Sequence, residues 1–302
     1  MSSQYFRFVA RDTSRRRSAL LEQLIARADD WVPAADWRAA AFRVIAPQAD
    51  GMPAVAAAAL CAEHGGAEAA WVCAATPVHY LAEMNNVRMA PDGMLAPTPA
   101  GAETLASDFN RVWTGSGIRL WAARSGQLFC FFDRDMQVVT HDPEEVLGRH
   151  IEEFLPTGAD AAPLRRLISE TEMWLFEHEA NRARTELELP AISGLWFWGG
   201  GAPIAALPDV SGWAAGDDLF FNAFNHPWDD KVQSGVVAAG CVPGSDQWEE
   251  VESRWLRPAT EKLRAGAIQR LQLSAGDRCI TVTARGLRRF WRRSRPWWES
   301  FE

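Results

Sequence analysis

The sequence predicts an α/β protein with a mixed sheet flanked by helices, and three observations carry that prediction. Apolar residues recur at steps of three and four over several long windows, which is the spacing of amphipathic helices. Between those windows stand short runs rich in Val, Ile, Phe and Trp bounded by Gly, Pro, Asn or Asp, which read as strands. Two of the strand-like pairs are joined by short polar links that fit antiparallel hairpins, while the rest alternate with helices. No internal repeat, heptad array or low-complexity linker marks a boundary, so residues 1–302 read as one domain with a 48% apolar content sufficient for a large core.

The elements follow in order. Residues 5–9 read as an opening strand and 14–28 as a helix with Leu20, Leu21, Leu24 and Ile25 on one stripe. Residues 31–36 read as a loop, 42–46 as a short strand, and 53–64 as an alanine-rich helix closed by Gly65-Gly66. Residues 69–75 form a buried strand that empties into Thr76-Pro77-Val78-His79-Tyr80. If that sheet is parallel, those residues stand where open α/β sheets hold ligands, with His79 either a ligand contact or a structural tie for the loop. Thr98-Pro99 caps a helix over 97–113, and 118–123 with 127–132 form a hairpin across Arg124-Ser125-Gly126.

The centre of the chain is residues 155–201. Leu164, Leu167, Ile168, Thr171, Leu175 and His178 make one helical stripe, with Asp160 and Pro163 suited to its first turn. Beside it Glu170, Met173, Glu177, Asn181 and Arg184 fall on a second face. That face is either a solvated surface stiffened by Glu–Arg pairs or a binding surface. Pro190 ends the helix, and the strand containing Leu195, Trp196, Phe197 and Trp198 runs into Gly199-Gly200-Gly201. Three glycines after a strand admit close approach of a ligand or a second segment, and they are the first candidate for a binding loop. Neither the G-x-G-x-x-G nor the P-loop pattern is met, because Ala202-Pro203 follows.

Farther on, 203–216 read as a surface crossing, 217–224 as a short helix, 225–230 as a loop and 236–241 as a strand. Residues 246–264 read as a helix that Pro258 kinks or splits, and 268–273 with 279–283 as strands about Ala275-Gly276-Asp277. The tail from 285 to 298 alternates Arg with Phe and Trp. Such a run can stack on bases or sit on lipid headgroups, but in an acidic chain the first expectation is an intramolecular Arg–carboxylate clamp.

Composition excludes several classes. A net charge of -8 argues against general nucleic-acid binding. No apolar run approaches the roughly 20 residues of a membrane span, and Met1-Ser2-Ser3-Gln4 does not open a signal peptide, so a cytoplasmic protein without membrane association is expected. Cys61, Cys73, Cys130, Cys241 and Cys279 are scattered and odd in number, as buried thiols in a reducing compartment would be. Fifteen tryptophans against two tyrosines supply aromatic area for a core or a pocket. His79, Asp133, Asp135, His141 and Asp142 are the available metal ligands, but their spacing matches no known site, so no cofactor is expected, with a divalent ion such as manganese or zinc as the alternative.

Three pieces together resemble a known family: T-P-V-H at 76–79; L-P-T-G-A-D at 155–160 with E-T-E-M at 170–173, Asn181 and Arg184; and L-W-F-W-G-G-G at 195–201. F-W-R-R-S-R-P at 290–296 extends the match. The chain resembles the RpfE-type regulatory proteins of bacteria, also described as cofactor-independent phosphoglycerate mutase-like, over most of residues 70–296; the first 65 residues carry no resemblance. The resemblance implies an alkaline-phosphatase-like α/β fold and phosphoryl transfer. Thr76 stands where the family motif has Asp, and Ser193-Gly194 stand where it has Asn-Ser, so two polar site groups are altered. The leading expectation is therefore a non-catalytic or degenerate member that binds a small anionic ligand or a protein partner. His79, Glu170, Glu177, Asn181, Arg184, Trp196, Trp198, Gly199, Gly200 and Gly201 would form its site, with Arg184 meeting the anion and Asn181 orienting it. The alternatives are an active metal-dependent phosphoglycerate mutase or phosphatase, and nucleic-acid binding through the Arg/Trp tail.

Overall fold

Strand β1 (Ser3–Arg7) has its three middle residues buried, and in the computed structural model it runs through the middle of a six-stranded sheet. The structure describes residues 2–8, 16–34, 36–65, 68–224, 232–240, 245–276 and 278–301. Helix α1 (Ala19–Ala26) buries Leu21, Leu24 and Ile25, and β2 (Asp30–Pro33) is an exposed edge strand. The expected strand at 42–46 is instead the second half of helix α2 (Trp37–Ile45), whose N-cap Asp36 accepts a hydrogen bond from Ala39 N. Trp37, Ala41, Phe42 and Ile45 are its buried face, a helical spacing that a five-residue window is too short to reveal.

Residues Pro53–Leu207 then build a unit of their own. Helix α3 (Val55–His64) ends on Gly65 in the left-handed conformation, φ 78°, as its glycine predicts. Strand β3 (Trp71–Ala82) is twelve residues long and does not stop at Ala75. Thr76 to Tyr80, expected as a loop, are inside it. Its partners are β4 (Val87–Met94), β6 (Leu128–Phe132) and β7 (Gly194–Gly201), all antiparallel. The rule that places ligands at the carboxyl ends of parallel strands therefore does not apply to His79. Helix α4 (Pro99–Val112) starts on Thr98, which caps Gly101 N, and β5 (Ile118–Ala122) forms the expected hairpin with β6. After the short α5 (Pro143–Val146), the single long helix expected in the centre appears as two, α6 (Ala161–Phe176) and α7 (Glu179–Glu186). The core of this unit gathers Phe109, Leu128, Leu164, Leu167 and Phe197.

The chain then returns to the first sheet, so the other unit combines Met1–Met52 with Pro208–Glu302. β8 (Trp213–Gly216), α8 (Leu219–Asn222) and β9 (Gly235–Ala238) are followed by α9 (Asp246–Val251), a π-helical turn over Glu252–Leu256, and α10 (Arg257–Arg264). Pro258 thus follows directly on the π-helical turn within a run whose backbone stays helical, and the expected interruption takes the form of that turn. β10 (Arg270–Ala275), β11 (Arg278–Val282) and α11 (Trp298–Phe301) complete the chain. The strand order is β2-β11-β10-β1-β9-β8, parallel from β10 through β8 and antiparallel at β11 and β2. The fold is α/β with sheets flanked by helices, but the single mixed sheet expected is two, one mixed and one antiparallel. The expected loop at 225–230, Cys241 and Asp277 lie outside the described residues.

A buried ion pair secures the first unit. Arg38, on α2, donates from Nε and Nη2 to Asp218 Oδ2 at 2.9 and 2.7 Å, with side chains only 10% and 5% exposed. Asp218 Oδ1 meanwhile caps α8 at Phe220 N and Phe221 N. Replacing Asp218 by Ala removes both of its bonds to the buried Arg38 guanidinium and uncaps the helix. The expected loss is about 3–5 kcal/mol, read as a lower urea midpoint.

Candidate functional site

The expected charged face breaks where α6 meets α7. His178 leaves the helical conformation at φ −71°, ψ 142° and caps α7, its Nδ1 accepting from Ala180 N at 3.1 Å. That bond puts the ring proton on Nε2, which donates to Asp108 Oδ2 at 3.2 Å. Glu170, Met173 and Glu177 stay with α6, while Asn181 and Arg184 leave with α7. Glu170 pairs with Arg166 one turn earlier at 2.7 Å, and that guanidinium holds its carboxyl below the usual range. Glu177 is exposed at the end of α6. Both behave as the solvated-surface reading requires, and neither lies with Asn181 and Arg184 on one helix.

Three of the candidates do converge, and what they hold is backbone. Asn181 is buried; its Nδ2 donates to Leu175 O at 2.8 Å and Ile192 O at 2.9 Å, and its Oδ1 accepts from Ile192 N at 2.7 Å. Arg184 Nε donates to Pro190 O at 2.6 Å, and His79 Nδ1 donates to Ala191 O at 2.8 Å. Side chains from α7 and β3 thus pin consecutive residues 190, 191 and 192 just before β7. Ser193 completes the clasp: its N–H donates to Val78 O at 2.7 Å, and its Oγ accepts from Tyr80 N at 3.0 Å. His79 Nε2 and the outer nitrogens of Arg184 remain as the polar groups this clasp does not use.

The triple glycine is part of strand β7 and not a loop. A Cβ on Gly199, where φ is 64°, would stand 2.9 Å from Val55 Cβ; on Gly200 it would stand 2.0 Å from the Trp71 ring, and on Gly201 2.5 Å from Ala54 Cβ. The glycines let β7 lie against the start of α3 and the Trp71 indole, which corrects the assignment of these residues to a loop. Gly200 is also eight residues along the chain from Ile192, about 25 Å at strand rise. Trp196 and Trp198 are buried, their indole N–H groups donating to His141 O and Thr76 Oγ1, each at 2.8 Å. Thr76 is therefore the acceptor that lets Trp198 be buried.

The residues that sequence reasoning missed surround Gly194. The point where its Cβ would stand is 3.2 Å from Glu172 Cγ and 3.5 Å from the Tyr80 hydroxyl. That hydroxyl is buried without a hydrogen-bond partner among the described residues, and burial raises its pKa far above the usual phenol value. Burial likewise raises the Glu172 carboxyl. The available signal was position: Glu172 directly follows the buried Thr171, on the shoulder of the apolar stripe and not on the charged face.

The metal-ligand candidates are dispersed into local structure. Asp142 caps α5 at Glu144 N, and Asp135 accepts from Met136 N and Gln137 Nε2. His141 lies 3.6 Å from Glu145, with its ring edge-on to Phe154, and Asp133 flanks Gly117. His79 is committed to Ala191. Among the described residues no three His, Cys, Asp or Glu side chains gather to hold an ion. A two-ion centre built from these five residues does not fit.

Two outcomes follow. Asn181→Ala leaves a buried N–H and two carbonyls unpaired and is expected to cost about 2–4 kcal/mol, measured by denaturant unfolding. Glu172→Gln is expected to stabilise. A carboxyl whose folded pKa is raised favours the fold below its unfolded pKa and loses that contribution as pH rises through the folded value. The Tm gain of the variant should therefore be present at pH 7 and vanish in acid below the ordinary glutamate pKa.

No family model matches the chain. Over 66 residues it is 33% identical to a 2,3-bisphosphoglycerate-independent phosphoglycerate mutase from Methanothrix thermoacetophila; this stretch is 22% of the chain and only 17% of that relative's length. Among solved structures, the cofactor-independent phosphoglycerate mutase from Thermoplasma acidophilum aligns with 94% of this chain and 90% of its own, at 12% identity and a TM-score of 0.37. The PH0037 protein from Pyrococcus horikoshii aligns with 93% of this chain and 87% of its own, at 9% identity and a TM-score of 0.41.

Proposed function

We propose that this chain is a phosphoglycerate mutase-like protein of the RpfE-type regulatory kind, which binds a small anionic ligand or a protein partner and does not catalyse metal-dependent phosphoryl transfer. The 33% identical stretch supports the mutase-like part. The observation that carries the absence of metal catalysis is the fate of the candidate metal ligands: His79 holds Ala191, Asp135 bonds Met136 N and Asp142 caps α5, and no three such side chains gather among the described residues. A phosphoryl-transfer centre of the two-ion type needs several such groups converging beside a hydroxyl nucleophile.

An anion would meet the clasp before β7. Arg184 spends Nε on Pro190 O and keeps its outer nitrogens, which suit a carboxylate or phosphate oxygen. His79 Nε2, opposite the nitrogen that holds Ala191, stays available for a hydrogen bond with the ligand. Asn181 then acts by fixing the clasp and not by touching the ligand.

Thermal shift with 3-phosphoglycerate and with inorganic phosphate, with and without manganese or zinc, tests this reading alongside a coupled mutase assay. The expected result is a Tm rise of roughly 5 °C at saturating anion, abolished in Arg184→Gln, with no turnover under any metal condition. Stoichiometric manganese or zinc in protein purified without chelators, together with turnover, overturns it in favour of an active metal-dependent mutase or phosphatase.

A further inference from the structure

We propose that residues 285–295 form a binding surface for single-stranded nucleic acid. This stretch carries six arginines and no acid, in a chain whose net charge is -8. The arginines are divided between two tasks. Arg289 pairs with Asp29 at 2.8 Å and donates to Ala28 O at 2.9 Å. Arg292 donates to Ala28 O at 3.0 Å and to Ala26 O at 3.5 Å. These two cations sit on carbonyls at the C-terminal end of α1, where the helix dipole favours them. Beyond them Trp297 is buried against Phe8, and its Nε1 donates to Arg16 O at 2.9 Å. The expected Arg–carboxylate clamp exists, but it uses only part of the run.

What the anchors leave outside is specific. Phe290 is 80% exposed and Trp291 67% exposed, with ring centroids 5.4 Å apart and planes at 81°. Arg285, Arg288, Arg293 and Arg295 are exposed, and their side chains make no hydrogen bond or ion pair among the described residues. Anchoring at 289, 292 and 297 holds the segment in place with two ring faces and four guanidinium groups open. A cationic track interleaved with aromatic platforms is how single strands are held without sequence preference: phosphates meet the cations and bases stack on the rings.

The acidic remainder of the chain does not forbid this. Exposed charges farther away than the Debye length of about 8 Å at physiological salt are largely screened, so the strand senses the local arginines first. A lipid surface is less well matched. Interfacial binding uses a helix with its apolar residues on one face, whereas here a 3-10 turn over Gly286–Arg288 leads into irregular chain with each ring flanked by arginine.

The test is fluorescence anisotropy of the full chain with labelled oligothymidylate and oligouridylate of roughly 20 nucleotides. Contact with three or four phosphates gives an affinity that falls about 20- to 50-fold between about 50 and 200 mM salt. The double variant F290A/W291A should bind about tenfold or more weakly with the salt slope kept, while R293Q/R295Q should flatten the slope. Circular dichroism of both variants should match the parent, since all four side chains are exposed. No binding at about 50 mM salt overturns the proposal. Unchanged affinity in F290A/W291A also overturns it, by showing attraction to any polyanion without stacking. Binding to phosphatidylglycerol vesicles with none to the oligonucleotides assigns the surface to lipid and overturns it as well.

Discussion

The buried amide of Asn181 sets the course of the chain into β7, the strand that runs along half of β3. It uses both of its donors and one of its acceptor sites, twice on Ile192 and once on Leu175, so that a helix end and a strand entrance are fixed by one side chain. Ile192 leads directly into β7, and β7 then pairs with β3 from Gly194 opposite Val78 to Gly201 opposite Val72. Register matters here because a slip by one residue would turn the buried side chains of β7 to the opposite face. In the observed register Trp198 meets Thr76 Oγ1, and Gly200 passes beneath the Trp71 ring with no room for a side chain. The clasp at 190–193 thus fixes the start of the pairing, and the register shifts between Val72 and Ala74, opposite the glycines.

This arrangement gives several of the candidate site residues an architectural task. His79, Asn181 and Arg184 meet around one short segment, and the polar atoms shown bonded there bind main chain. Gly199 to Gly201 were grouped with them because glycine after a strand admits either a ligand or a neighbouring element. The neighbour is α3 with Trp71, a contact between segments far apart in sequence that no local pattern encodes.

Helices were the most legible elements. The cap at Thr98, the left-handed Gly65 and the interruption near Pro258 each act locally, so their residues announce them, whereas Asp142, read as a metal ligand, is the cap of a helix too short for its sequence to mark. The break at His178 was hidden because His178 prolongs the spacing of Leu175 by three and so mimics another helical turn; the decision lies in its ring nitrogen capping Ala180. Residues 42–46 misled in the opposite sense, a β-favouring composition overridden by helical burial of Trp37, Ala41 and Ile45. Glu172 and Tyr80 are not marked by any local pattern, because they come from α6 and β3 and meet beside Gly194 of β7 only in the fold.

Strand β1 stands between β10 and β9, with Ser3 opposite Arg270 and Gln4 opposite Gly235. Its neighbours are therefore more than two hundred residues downstream along the chain, while every strand partner of β3 lies within Pro53–Leu207. During synthesis at about 5–20 residues per second, the antiparallel sheet has all its strands in hand while β1 still waits, unpaired on both edges, for roughly a further few seconds. A strand with open edges is the natural template for the wrong partner. The shortness of β1 and its polar residues Ser3, Gln4 and Arg7 limit that exposure for as long as the delay lasts.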